Sequence, residues 1–363
     1  MTREKIMTAG RTALAPLILL LAATVAESAD MQDGHCGGQA DKNFICGPAN
    51  AEDLVRVPGT DWVLASRMAN PADRQGMFYL LDAGDHSWRK LSIDEIPAAQ
   101  DKALYPDCAG RPTSATLRGH GIVIDEQGGT LKLLAINHGG RESVEIFGVT
   151  ANGSAEPSLT WQGCVVAPQG AQLNSVVPLP GGGFAATKFF DMANKSWGED
   201  LFAGKDTGEV LEWSPKGGWK TVAGTTMSGP NGIAVSPDGE SYFVAAWGRS
   251  KLHKVSRRTG ERQSVDTGMR PDNLQWDAEG KLLVAGQFFD DPAGYGSCHM
   301  SDAPACAFPY KVLRVDPGTL AIEAMVTEAE PKEFGSGTTA MQAGDEYWIG
   351  TSRGDRIARI AKP

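Results

Sequence analysis

Basic runs are absent from this chain. Lys and Arg total 34 against 44 Asp and Glu, for a formal net charge of −10 at pH 7. The cations cluster nowhere, which argues against nucleic acid and against anionic membrane surfaces. No Cys-x-x-Cys pair occurs, so zinc-ribbon and thioredoxin-type chemistry have no anchor. Helical periodicity is weak everywhere; the one tempting stretch, Ile93–Leu104, is interrupted by Pro97. A serine-hydrolase triad built on a Gly-x-Ser-x-Gly nucleophile elbow is not expected. Long apolar runs are also missing, the longest being Leu14–Val25, where a bilayer span needs about 20 residues.

That short run sits where a signal peptide would put it. Arg3, Lys5 and Arg11 precede it, and Ala26-Glu27-Ser28 forms a small-x-small cleavage site. Residues 1–28 are therefore expected to be a signal peptide and 29–363 one domain, secreted or periplasmic, with no membrane span once the leader is gone. Six cysteines, all after the leader, then read as disulfides of an oxidising compartment. Fifteen pairings are open in principle. Local spacing favours Cys36–Cys46 and Cys298–Cys306, which leaves Cys108–Cys164.

What the chain has in quantity is one repeated unit. Pro230–Val235, the turn Ser236-Pro237-Asp238-Gly239 and Ser241–Ala246 read as strand, tight turn and strand, with Asn231 at the mouth of the first strand. Glu52, His120, Asn174, Asp272 and Thr338 occupy the same entrance position in five further units. Intervals of roughly 40 to 70 residues suit four-stranded propeller blades, the wider gaps holding insertions over Asn70–Ser114 and Asp290–Pro309. An all-β six-bladed β-propeller with a central calcium site is the expected fold. A two-domain sandwich would leave the recurring entrance residues unexplained. Ring closure is expected where Arg356–Ile360 pairs near the N-terminal segment.

In a propeller the entrance positions of all inner strands converge on the axis. Glu52, Asn174, Asn231, Asp272 and Asn273 would then offer hard oxygens from four blades, the donor set that Ca²⁺ selects. Each alone could be a turn residue capping its own backbone; together they point to a metal. His120 opens one strand and His138 follows the next, placing two imidazoles at the channel mouth for proton transfer. His35, His86, His253 and His299 read as loop or surface residues without a role. Phe189, Phe190, Trp197, Trp247, Phe288 and Phe289 are candidates for an apolar substrate wall.

Over roughly residues 50 to 290 the chain resembles the serum paraoxonase/arylesterase family. The resemblance is carried by Glu52-Asp53-Leu54, His120-Gly121-Ile122, Asn137-His138, Ser143–Phe147, Leu173-Asn174, Asn231-Gly232-Ile233, Ser236–Gly239 and Asp272-Asn273. It implies a catalytic Ca²⁺ on Glu52, Asn174, Asn231, Asp272 and Asn273, a His120/His138 dyad, and hydrolysis of a small-molecule lactone or aryl ester. It further implies a structural calcium on Asp53 and the Ile122 backbone, but Ser175 stands where the family carries that ion's second acid. Two other readings remain: an exported ligand-binding propeller without turnover, and a sugar-lactone hydrolase of the gluconolactonase type. The latter calls for an arginine-rich pocket that no stretch of the sequence marks out.

Overall fold

The computed structural model describes residues 1–2, 31–37, 43–69 and 76–362. The expected signal peptide lies, apart from Met1 and Thr2, outside the described residues. A three-residue strand β1 (Phe44–Cys46) precedes five meanders: β2–β5 (Ala51–Arg56, Trp62–Arg67, Met77–Asp82, Trp88–Ser92), β6–β9 (Gly119–Gln127, Thr130–Asn137, Ser143–Asn152, Ala155–Val166), β10–β13 (Ala171–Pro178, Phe184–Asp191, Glu209–Ser214, Gly218–Thr221), β14–β17 (Pro230–Val235, Ser241–Ala246, Lys251–Ser256, Arg262–Asp266) and β18–β21 (Arg270–Trp276, Leu282–Gln287, Tyr310–Val315, Ile322–Glu328). The last three strands are β22–β24 (Gly337–Ala343, Glu346–Thr351, Arg356–Ala361).

Each meander is one four-stranded antiparallel sheet, and β1 completes the sixth by pairing with β24. The first strands of successive sheets touch one another around a ring that closes between β22 and β2. The chain is thus an all-β six-bladed propeller. It is clasped where expected, with Ile45 opposite Ile357. Stacking the blades face to face buries both sides of the middle strands, which is why Phe78–Leu81 and Tyr242–Ala246 are unbroken apolar runs. Across the first two blades Phe78 and Phe147 meet edge to face at 5.5 Å. The Pro237-Asp238-Gly239 turn forms as read, with Gly239 at φ 76° and Asp238 Oδ1 accepting from the Glu240 N–H.

The ladder between first and second strands breaks at the same place in five blades. Two residues of the inner strand face one of its neighbour at 52–53, 120–121, 174–175, 231–232 and 272–273. Such a bulge bends the strand and re-aims its side chains, so the entrance residues leave the sheet pattern and turn to the axis. Glycine makes this possible at two points. A Cβ on Gly121 would lie 2.6 Å from the Asn174 carbonyl, and one on Gly232 2.3 Å from that of Asp272, so neighbouring inner strands approach closely only without a side chain there.

The wide gaps differ in part from expectation. Asn70–Ser114 is not all insertion, since it contains β4 and β5, the outer half of the first blade. Ile93–Leu104 forms turns rather than helix. Two short helices do occur, α1 (Trp197–Phe202) and α2 (Pro292–Met300), the second started by Asp291 accepting from the Gly294 N–H. All three expected disulfides are present. Among the described residues no helix is long and apolar enough to cross a membrane.

Candidate metal and hydrolytic site

At one end of the axis lies a cavity of about 410 Å³ with Glu52, His120, Asn174, Asn231 and Asp272 in its lining. Four side-chain oxygens here are buried and meet no donor: Glu52 Oε2, Asn174 Oδ1, Asn231 Oδ1 and Asn273 Oδ1. Leaving such atoms unpaired costs about 1–3 kcal/mol each, and these four come from four different blades. Asn273 Nδ2 donates to Glu52 Oε1 at 2.7 Å, which turns its own oxygen and the second Glu52 oxygen free. Gln287 Nε2 donates to Asp272 Oδ2 at 2.8 Å while its Oε1 accepts from Trp247 Nε1 at 3.0 Å. The donor set, carboxylates and amides without sulfur, fits Ca²⁺.

The electrostatics agree. Burial, then the charges of Asp53 and Asp272, hold the Glu52 carboxyl well above its ordinary range. Burial pushes Asp272 up to about 7 against hydrogen bonds from Gln287 and Asn231. Asp53, though its charge acts on Glu52 and Asp272, turns its oxygens to other partners. Its Oδ2 accepts from the Ile122 N–H at 2.9 Å, and its Oδ1 from the Leu54 N–H and the Thr339 hydroxyl, both at 3.0 Å. Burial raises it to about 6, with those hydrogen bonds opposing. Ser175, beside it on the bulge of β10, gives its N–H to Thr187 Oγ1.

His120 and His138 are brought together: Nδ1 of the first lies 2.8 Å from Nε2 of the second. Behind them is Glu142, whose carboxylate oxygens are 2.9 and 3.0 Å from His138 Nδ1. A carboxylate at that distance requires the proton on Nδ1. His138 Nε2 is then an acceptor, His120 Nδ1 donates to it, and His120 Nε2 is left with a free lone pair 3.7 Å from Glu52 Oε1. Burial and the neighbouring His138 hold His120 down at about 3, so it stays neutral. The Leu173 N–H at 2.7 Å also serves Glu142, and the Gln172 side-chain amide lies against the pair, 2.6 Å from His138 Nδ1 and 3.3 Å from Glu142 Oε2. Glu142 was not singled out from the sequence; in the turn after β7 it looks like a solvated charge, and its partners are His138 of the same turn and Gln172 and Leu173 of the adjoining β10.

The apolar wall holds Phe189, Phe190, Trp197 and Trp247, joined by Leu201 and Phe202 of α1 and Tyr295 of α2. Phe190 stacks on Trp197 at 4.0 Å. Phe289 stands behind it, stacked on Tyr295 at 4.2 Å. Phe288 is no part of it; that ring packs into a blade core under Lys311. His299 corrects the expectation of a roleless surface histidine. It faces the cavity from α2, its Nε2 3.1 Å from Ser352 Oγ, and burial lowers it to about 4. His253, also read as surface, is buried in β16.

Gly350-Thr351-Ser352-Arg353-Gly354 does carry Gly-x-Ser-x-Gly spacing, yet it builds no nucleophile elbow. It runs from β23 through a bend into β24 with no helix between. The N–H groups that would form an oxyanion hole are taken, Arg353 N by Thr351 Oγ1 and Gly354 N by Asn50 Oδ1.

No curated protein matches the sequence. Among solved structures, a luciferin-regenerating enzyme is similar at TM-score 0.53 and 11% identity, over 87% of this chain and 92% of that one. The PQQ-bound aldose sugar dehydrogenase of Streptomyces coelicolor is similar at 0.50 and 14%, over 88% and 96%. A protein of unknown function from Bacteroides thetaiotaomicron is similar at 0.51 and 13%, over 88% and 75%. At such identities these likenesses speak for the fold alone. A family model described as Arylesterase matches residues 67–341, a span running from the end of β3 into β22 and containing both histidines and four of the five oxygen-bearing residues. With that match covering most of its length, the chain belongs to the arylesterase family.

Proposed function

We propose that this chain is a calcium-dependent hydrolase of aryl esters and lactones, exported to an oxidising compartment. One observation carries the reading: four unpaired buried oxygens converge beside a Glu142–His138–His120 relay at the floor of an apolar cavity. Glu52, Asn174, Asn231, Asp272 and Asn273 would hold one cation. Asp53, its oxygens already filled by protein donors, and the Ile122 N–H that it accepts from are read as a brace beneath Glu52 rather than a second ion site.

A bound calcium ion supplies Lewis-acid polarisation of the scissile carbonyl oxygen. His120 Nε2 takes the proton of the attacking water. His138 accepts from His120 Nδ1 and so keeps that lone pair aimed at the cavity. Glu142 fixes the His138 tautomer and stabilises positive charge arriving on the imidazoles. General-base help of this kind is worth about 10²–10⁴-fold. The aromatic wall excludes water and seats the aryl or alkyl part of the substrate. Three disulfides fit the export expected from the leader.

Purified protein should contain calcium and turn over phenyl acetate and a γ-lactone. Activity should vanish with EGTA, return with Ca²⁺, and be lost in Asp272→Ala and Asn231→Ala. Full activity in metal-free protein would overturn the proposal, and tight ligand binding without turnover would favour a binding propeller.

A further inference from the structure

Beside the catalytic cavity lies a second chamber of about 350 Å³, with His138, Gln172, His299 and Ser352 common to both linings. Its own walls include Arg118 and Arg353. Arg118 Nε is buried without a partner, and among the described residues no acceptor reaches any nitrogen of its guanidinium. Arg353 is 4% exposed; one nitrogen donates to the His299 carbonyl, while Nε and Nη1 meet nothing. Neither has a carboxylate at ion-pair distance among the described residues. The acid whose charge reaches Arg353 is the exposed Asp302, and burial outweighs it. Glu142, the half-buried acid on the same side, is occupied by His138, Gln172 and Leu173.

A buried cation without a counter-ion, as Arg353 is, is costly anywhere, and the half-buried Arg118 beside it adds a second unpaired charge in a chain of net charge −10. Several other arginines are paired with carboxylates, Arg141 with Glu145, Arg257 with Glu212, Arg314 with Asp277 and Arg359 with Glu346, and those that are not meet carbonyls or aromatic faces, as Arg262 and Arg270 do. The guanidinium fork matches a planar carboxylate by two parallel hydrogen bonds. Ser352 Oγ and Gln172 add neutral polar groups to the same walls.

We propose that this chamber is a carboxylate subsite and that the substrates are anionic esters or lactones, bearing a carboxylate beside the scissile bond. The inference rests on the hydrolase reading above and adds to it a substrate class. The uncharged part of the substrate lies on the Phe190–Trp197 wall, the scissile carbonyl at the axis, and the carboxylate reaches past His138 to Arg118 and Arg353. Placing the fork next to the dyad lets remote charge orient the reacting carbonyl.

The test compares p-nitrophenyl hemi-esters of succinic, glutaric and adipic acid with neutral p-nitrophenyl esters of matched length. In the wild-type protein at least one hemi-ester should exceed its neutral match in kcat/KM by tenfold or more. Arg118→Gln should lower that charged-to-neutral ratio by about 10- to 100-fold, the worth of a charge-assisted contact. Arg353→Lys, which keeps charge but loses the fork, should lower it less. Neutral esters turned over as fast as every hemi-ester would overturn the subsite while leaving the hydrolase reading intact. A binding measurement decides the matter even if no ester is hydrolysed. Tryptophan fluorescence of the calcium-loaded protein should report 4-phenylbutyrate binding at least tenfold tighter than 4-phenylbutyramide. Arg118→Gln should remove that preference. Equal affinities in the wild-type protein, or an unaltered preference in the variant, would sink the proposal.

Discussion

Replacing Asp272 by Asn is expected to stabilise the metal-free protein at neutral pH and weaken the calcium-loaded one. Burial raises Asp272 from 3.8 to about 7 in the fold. A carboxyl whose folded value lies above its unfolded one binds more protons when folded between those values, so its contribution to stability falls as pH rises through that window. At about 1.4 kcal/mol per pH unit of separation, ionising Asp272 in the folded, metal-free state costs about 4 kcal/mol, complete above pH 7 and absent below 3.8. Asn keeps the shape, can still accept from Gln287, and does not titrate. Urea unfolding in EGTA should therefore show the variant drawing ahead of the wild type as pH climbs from about 4 to about 8, by up to about 4 kcal/mol. Comparing two proteins at each pH cancels the buried histidines, whose lowered values push the other way. In Ca²⁺ at more than about 1,000-fold excess over Kd the order should reverse, because binding at 1,000-fold excess already adds about 4.1 kcal/mol to whichever protein retains the site. A pH-independent gap in EGTA, or equal gains from calcium in both proteins, would refute the reasoning.

Glu142→Gln should lower kcat roughly tenfold to a hundredfold with little change in KM, since the amide can no longer hold the His138 proton as a charged acceptor; steady-state kinetics with an unchanged kcat would remove Glu142 from the relay. Joint replacement of Cys298 and Cys306 by Ala releases a closed segment with a sequence separation of 8 that includes His299 and anchors the end of α2, the helix that carries Tyr295 and His299 to the cavity. A loop of that size is worth about 2–3 kcal/mol of local order, so proteolysis within 290–309 should speed up and kcat/KM fall while the global melting transition moves little. Unaltered protease resistance and kinetics would show the helix to be held by packing alone.

Much of the inner-strand chemistry is readable from the linear chain, because it is local: an acid, amide or imidazole precedes a short apolar strand, and Pro-Asp-Gly or Gly-rich turns end it. Repetition of that unit implies a ring, and a ring implies convergence. The even cysteine count and tight local spacings likewise carry their own pairings. Contacts between blades are another matter. Nothing in Arg118, Arg353, Gln287 or Glu142 as letters distinguishes them from the solvated charges and amides elsewhere, since their roles come from neighbours that only folding brings to them, within their own blade or from the next. His299 reads as a loop residue until α2 folds it over the cavity mouth. The bulges in five inner strands, which turn entrance residues towards the axis, depend on how closely adjacent strands pack and so exist only in the closed ring. Sequence alone determined which groups face the axis and in what order; tertiary structure decided which of them are left without partners, and it is those unpaired oxygens and guanidiniums that point to what the protein binds.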